Sequence, residues 1–266
     1  MDEPAVITLT TDFGTADNFV GAMKGVILSI NPRCAIVDIT HHIAPQDVME
    51  GCFSLAASYS FFPEKTIHVA VVDPGVGGPR RPLLIATETH FFIGPDNGIF
   101  SFVFSEPGEK NIFEITESRY FLPEISTTFH GRDIFAPVAA HLSKGTPPAC
   151  FGNAVSECVI REFPAPNMIN EKELEAEIIH IDRFGNLITN ARMDMIEKLL
   201  KTGDIRTDVN GHSVSELLTN YIDARDDVLF FIMGSSGCLE ISAKNKSAQK
   251  ITGARRGDRI LLKTGP

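Results

Sequence analysis

The feature that most constrains the fold is a change of hydrophobic period, repeated along residues 5–73. "AVITLTT" is a short run of β-formers. "DNFVGAMKGVILSI" follows, with Phe19, Met23, Val26, Ile27 and Ile30 at helical spacing and Asp17 placed to cap the helix. "AIVDIT" reads as a second strand. "DVMEGCFSLAASYSFF" reads as a second helix, with Val48, Cys52, Leu55 and Tyr59 on one face and Pro63 as its stop. "TIHVAVVD" is a third strand. This β-α-β-α-β order predicts parallel strands with right-handed crossovers, and strand ends of such sheets are where ligands sit. Three strand ends then deliver Asp12, Asp38 and Asp73 to one edge of the sheet.

Past Asp73 the pattern changes. "PLLIAT" and "HFFIGP" read as strands around a "PDNG" turn. "STTFHGRDIFAPVAAHLSKG" reads as a loop entering a helix, capped near Thr127 or Thr128 and closed by Gly145. Two prolines and a charge cluster in "REFPAPNMINEKELEAE" suggest a linker. Beyond it come short strands, the type I′ turn signal "DVNGHS" and one helix, "ARMDMIEKLLK", a pattern that suits a small antiparallel sandwich or barrel. The expected organisation is an N-terminal α/β domain with a mostly parallel sheet over residues 1–163, a linker over 164–175, and a small antiparallel β-domain over 176–266.

Composition removes several classes of function. A net charge of −10 argues against a binder of phosphate backbones. No window approaches the ~18 apolar residues of a membrane span, and "MDEPAVITLTTDFG" lacks the pattern of a secretory signal. Five cysteines without a C-x-x-C pair fit a reduced, cytoplasmic protein. His41-His42 has no third ligand at metal spacing, so no metal site is expected. There is no G-x-S-x-G elbow for a serine hydrolase.

Three stretches stand apart. "VVDPGVGGPRR" is no phosphate loop: Pro74 removes a donor and the turn enters a strand, whereas a phosphate loop opens a helix. A plain turn is the bland alternative, but this turn would hold the side chain of Asp73 near that of an arginine after it, at 80 or 81. In "STTFHGRDIFAP", His130 and the Arg132-Asp133 pair favour a structural reading over a catalytic one when taken alone. In "IDRFGNLITN", Asp182 and Asn186 flank a Phe-Gly turn, and an aromatic face beside an amide suits a purine; Phe184 in the core is the alternative. "MGSSGCLEIS" places two hydroxyls between glycines, where a carboxylate can be held or where a hairpin simply turns.

Taken in order, "TTDFG", "DNFVGAMKGVI", "DITHHIAPQDV", "VAVVDPGVGGPRR", "FIGPDNGIFSFV", "STTFHGRDIFAP", "DRFGNLITN" and "GSSGCLEIS" span nearly the whole chain. Together they resemble the adenosine-forming S-adenosylmethionine hydrolases, or SAM hydroxide adenosyltransferases, relatives of the fluorinase and chlorinase enzymes. The resemblance implies attack of water or hydroxide on C5′ of S-adenosyl-L-methionine, giving adenosine and L-methionine with no cofactor. It implies a C-terminal β-barrel and a homotrimer with sites at the subunit interfaces. It implies that Asp73, Arg80 and His130 hold or activate the water and that Asp12 grips the ribose hydroxyls. By the same likeness Asn186 reads the purine with Phe184 packed nearby, Tyr221 stacks on adenine, Asp182 meets the methionine ammonium, and Ser235 holds its carboxylate.

Departures from the halogenating relatives favour water. Those enzymes resemble this chain but carry tyrosine at Asp73, Tyr-Ser at His130-Gly131 and an indole at Gln46; this chain has no Trp. The long fluorinase insertion is missing, since "TETHFFIGPDNG" is short. An anionic Asp73 repels halide. A halogenase and a non-catalytic SAM or adenosine sensor are the rival readings.

Overall fold

The run Ile67–Val71 is buried at every position, as a strand needs to be when both faces of its sheet are covered. The computed structural model describes residues 4–265, which fall into two units with the break in the chain between Arg161 and Glu162. In the first unit the strands are β1 (Val6–Thr11), β2 (Ala35–Thr40), β3 (Ile67–Val71), β4 (Pro82–Thr87), β5 (Phe91–Pro95), β6 (Lys110–Ile115) and β7 (Gly152–Val155). They form one sheet in the order β2-β1-β3-β5-β4-β6-β7. The helices are α1 (Phe19–Ile30), α2 (Val48–Ala56) and α3 (Ala136–Ser143).

Helices α1 and α3 share one core with the sheet, through Met23, Ile27 and Val138 against Ile7, Leu9 and Val69. Helix α2 shares the other, through Val48 and Leu55 against Ala70, Val72 and Phe92. Alternation along β3 sends Val69 and Val71 to one core and Ala70 to the other. Each fully buried aliphatic side chain contributes about 1.5–3 kcal/mol, so both layers matter to stability. Strand β1 has β2 on one side and β3 on the other, both parallel. The strand order therefore reverses at β1, and the crevice beyond the ends of β1 and β3 is the switch point where open α/β sheets bind ligands. Asp12 and Asp73 stand there.

Four differences from expectation have physical causes. The sheet is parallel only from β2 through β5; β5-β4, β4-β6 and β6-β7 are antiparallel. A parallel return needs a crossover of a dozen or more residues, and only residues 88–90 join β4 to β5, so that pair runs antiparallel. Asp38 lies inside β2 and not at its end, paired with Lys24 at 2.6 Å. Asp17 does not cap α1; Asn18 occupies that position without a side-chain bond, whereas Asp47 caps α2 through the Glu50 amide. Thr127 and Thr128 cap nothing: residues Gly131–Phe135 form a π-helical turn that runs directly into α3.

The second unit contains β8 (Asn167–Asn170), β9 (Glu173–Ile181), β10 (Leu187–Arg192), β11 (Ile205–Val209), β12 (His212–Val214), β13 (Leu217–Leu218), β14 (Leu229–Met233), β15 (Cys238–Ala243) and β16 (Arg259–Thr264), with α4 (Met193–Leu200) and the short α5 (Ala248–Thr252). The order is β12-β11-β16-β9-β10-β15-β14-β13, with β8 added on β9. Only Ser215 and Glu216 separate β12 from β13, the two ends of that order, so the chain itself curls the sheet. The Phe231 amide donates to the Glu216 carbonyl at 2.7 Å. The concave side holds Leu174, Ile178, Leu187, Phe231, Ile241 and Leu262. Asn210 and Gly211 both have positive φ between β11 and β12, as a type I′ turn requires. The stretch expected as a linker, 164–175, carries β8 and the start of β9; β8 is four residues long and mostly exposed, too short to show a period. Among the described residues no helix is long and apolar enough to cross a membrane.

Candidate active site

The turn after β3 is built to fold back. The Val76 amide donates to the Asp73 carbonyl and the Gly78 amide to the Gly75 carbonyl. Gly77 has φ +75°, and a Cβ there would lie 2.2 Å from the Thr127 carbonyl oxygen. Glycine is thus required both for the backbone angle and for the approach of the 126–130 segment. The stem of Arg80 lies over Gly75, and its guanidinium sits 5.5 Å from the centre of the Phe135 ring.

Arg80 then meets two partners. Its Nε donates to Asp73 Oδ1 at 3.1 Å and Oδ2 at 3.0 Å, and Nη2 donates to Oδ2 at 2.5 Å. The same Nη2 lies 2.7 Å from His130 Nδ1. Guanidinium has no acceptor, so Nδ1 must accept, and the proton of the neutral imidazole sits on Nε2. Burial, and next the Arg80 charge, push His130 below its ordinary pKa of 6.5, against the opposing pull of Asp73 and Asp133. His130 opens the π turn, a geometry that recurs at functional sites.

Asp73 and His130 line a cavity of about 390 Å³ together with Asp12, Phe13, Phe19 and Gln46. Asp12 Oδ2 accepts the Gln46 amide at 2.8 Å, and Gln46 holds φ +68° to deliver it. Phe13, Phe19 and Phe129 meet edge to face or tilted at 5.2–5.8 Å between centroids and make an aromatic wall. Phe19 was expected on the buried face of α1; at 41% exposure it faces this opening instead.

The other sequence-derived residues gather in a cavity of the second unit, about 840 Å³, lined by Asp182, Phe184, Asn186, Tyr221, Ser235 and Glu240 among others. Asp182 Oδ1 accepts the amides of Phe184 and Asn186, and its Oδ2 accepts Asn186 Nδ2 at 2.8 Å. A carboxylate only accepts, so the Asn186 amide nitrogen must face it, leaving Oδ1 free to accept from a ligand amine. Phe184 is 76% exposed and so is no core residue. Gly185, at φ +83°, sits so close to Ser247 that any side chain would collide with it. Ser235 lies in a tight turn closed by the Gly237 amide on the Gly234 carbonyl.

Glu240 escaped the sequence reading. It is buried on β15 and accepts the Tyr221 hydroxyl at 3.3 Å. Burial, then the charge of Asp182, raise its pKa above the ordinary carboxylate value. The signal was present: an acid between Leu239 and Ile241 in a strand whose other residues, Ser242 apart, are apolar. The aromatic wall gave no such signal, because Phe129 is more than a hundred positions from Phe13 and Phe19. Among the described residues no group of three or more His, Cys, Asp or Glu side chains is gathered for a metal ion.

A reversing α/β sheet with an Asp-Arg-His cluster at its switch point, followed by a curled β-unit with an amide-and-acid pocket, defines a two-unit protein with a candidate site in each unit. The chain belongs to the SAM hydroxide adenosyltransferase family: the family's N-terminal domain matches residues 7–152 and its C-terminal domain residues 176–261. It is 36% identical to the (R)-S-adenosyl-L-methionine hydrolase of Methanocaldococcus jannaschii, over 97% of this chain and 95% of that one. It is 31% identical to the fluorinase of Actinoplanes sp. strain N902-109, over 73% of this chain and 74% of that one. A crystal structure of an uncharacterized conserved protein from Thermotoga maritima superposes with a TM-score of 0.90 at 34% identity, covering 96% of this chain and 99% of that one.

Proposed function

We propose that this protein hydrolyses S-adenosyl-L-methionine to adenosine and L-methionine. The observation that carries the reading is Arg80 bridging Asp73 and His130 beside the cavity that also holds Asp12. Water attacks C5′, the C5′–S bond breaks, and its electron pair stays on sulfur as methionine leaves. The water proton passes to the Asp73 carboxylate, since His130 Nδ1 is already occupied by Arg80 and its Nε2 carries a proton. Arg80 fixes both groups and His130 orients the water. Such base catalysis is worth roughly 10²–10⁴ in rate, and in-line positioning in a confined site supplies the rest. The sulfonium is a good leaving group, so no cofactor is required.

Asp12 accepts the ribose hydroxyls, and the free Oδ1 of Asn186 accepts the adenine amine, with Tyr221 and Phe184 against the ring. Asp182 and Glu240 meet the substrate's cationic groups, and the turn at Ser235 takes its carboxylate. The two sets of residues complete one site in a homotrimer, where the first unit of one subunit faces the second unit of the next. The curled sheet is read as a closed barrel, and the protein as cytoplasmic.

The relatives' name specifies the (R) form, so both sulfonium epimers belong in the test. The purified protein is incubated with each, with and without chloride, and the products are separated by chromatography. Adenosine and methionine in equal amounts, independent of halide, support the hydrolase. A 5′-halo-nucleoside makes it a halogenase. Intact substrate with bound adenosine makes it a sensor.

A further inference from the structure

The His41-His42 pair has no part in the function so far, yet His41 is 4% exposed and stands behind Asp12. A register shift between Leu9 and Thr10 lets β2 turn inward at its end, so that Thr40 pairs with Thr10 and His41 follows beneath the β1 terminus. There His41 holds both flanks of Asp12. Its Nδ1 lies 2.9 Å from Thr11 Oγ1, and its carbonyl accepts the Gly14 amide at 2.7 Å. Thr11 Oγ1 in turn accepts the Phe13 amide at 3.3 Å. On the far side, His41 Nε2 is 3.0 Å from Asp38 Oδ1, at ion-pair range but off the line of an ideal hydrogen bond, and Lys24 holds Asp38 Oδ2 at 2.6 Å.

The direction of this chain follows from donor inventories. A carboxylate only accepts, so a proton on Nε2 faces Asp38, and in the tautomer that carries its proton there Nδ1 is an acceptor. Thr11 then donates to Nδ1 and keeps its lone pairs for the Phe13 amide. The loop of Asp12 is thereby tied at Thr11, Phe13 and Gly14, while the Asp12 carboxylate itself receives only the Gln46 amide among these groups. His41 does not line the cavity.

We propose that His41 is a positioning residue that, through Thr11 and Gly14, holds the Asp12 carboxylate in register for a vicinal diol. The proposal rests on the reading that Asp12 grips the ribose hydroxyls. Its test is the ratio of dissociation constants for adenosine and 2′,3′-dideoxyadenosine, measured by titration calorimetry on the full chain. Wild type favours adenosine, and Asp12→Asn reduces that preference. His41→Ala reduces it by about tenfold, the scale of a hydrogen bond to a charged group. His41→Asn, whose Oδ1 can accept the Thr11 hydroxyl, restores most of it. The Asp12→Asn/His41→Ala double variant loses no more preference than Asp12→Asn alone, because the two act as a unit. A His41→Ala protein that melts earlier but keeps the full preference overturns the inference and leaves the ribose reading standing. An unchanged preference in Asp12→Asn overturns both. Should His41→Ala fail to fold, Thr11→Val removes the same bond and is read by the same ratio.

Discussion

Arg80 serves Asp73 and His130 with one guanidinium, which a lysine cannot do from a single point charge. Arg80→Lys is expected to lower kcat by about 10² with a smaller effect on KM, read by steady-state kinetics. His130 has its pKa lowered by burial and Arg80, so it is neutral until pH falls below 6.5. Protonation at Nδ1 breaks the Arg80 bond, so kcat/KM should fall on the acid side with an inflection below 6.5, and that inflection should vanish in His130→Gln. Glu240 runs the other way. Its raised pKa means that a bound cation favours the ionised form, and substrate binding should release protons at weakly acidic pH. Calorimetry in buffers of different ionisation enthalpy checks this, with Glu240→Gln releasing fewer. That Asp73 meets an arginine was legible because a short turn joins it to residues 80 and 81; the choice of Arg80 over Arg81 came from the resemblance. His130 was legible only by residue type and resemblance, since its partner is 50 positions away. Glu240 was hidden because hydropathy alone does not say which strand face opens onto a pocket.

The turn 73–80 and the segment 126–130 act as one element, joined where Gly77 touches Thr127. Gly77→Ala combines a strained φ with a Cβ 2.2 Å from a carbonyl oxygen, so the two segments must part. Activity should fall at least about tenfold with a lowered melting temperature, whereas Gly145→Ala, also at positive φ but facing open space, should cost only about 1–2 kcal/mol of stability and leave kcat intact. Between β1 and β3, His68 is fully buried against Thr8, and burial pushes its pKa down to about 3. The folded state then binds fewer protons than the unfolded state between pH 6.5 and 3, so this contribution to stability is present at neutral pH and lost as pH falls through that window. Urea unfolding at pH 4 and 7 should show a smaller loss in His68→Gln. The β-α-β-α-β start was legible because buried parallel strands and amphipathic helices have different periods. The antiparallel half and the β8-β9 hairpin were not, because pairing partners depend on connection length and tertiary neighbours.

At the scale of the molecule, the candidate residues divide between two cavities in two units, and the proposed trimer makes a site from both. Asp73→Asn and Asn186→Ala homo-oligomers should each be nearly inactive. Mixed and reassembled, they should regain up to about a quarter to a third of wild-type activity if each site draws on two subunits; no recovery from verified mixed oligomers would place every site within one subunit. One feature of the first unit bears on how such proteins diverge. The turn Gly131–Phe135 is π-helical, one residue fuller than an α turn. Deleting a single codon there would restore ordinary helix winding, shift the buried Asp133, Ile134 and Phe135, and rotate a different side chain into the position of His130. Chain length at this point therefore sets where His130 stands as much as residue identity does.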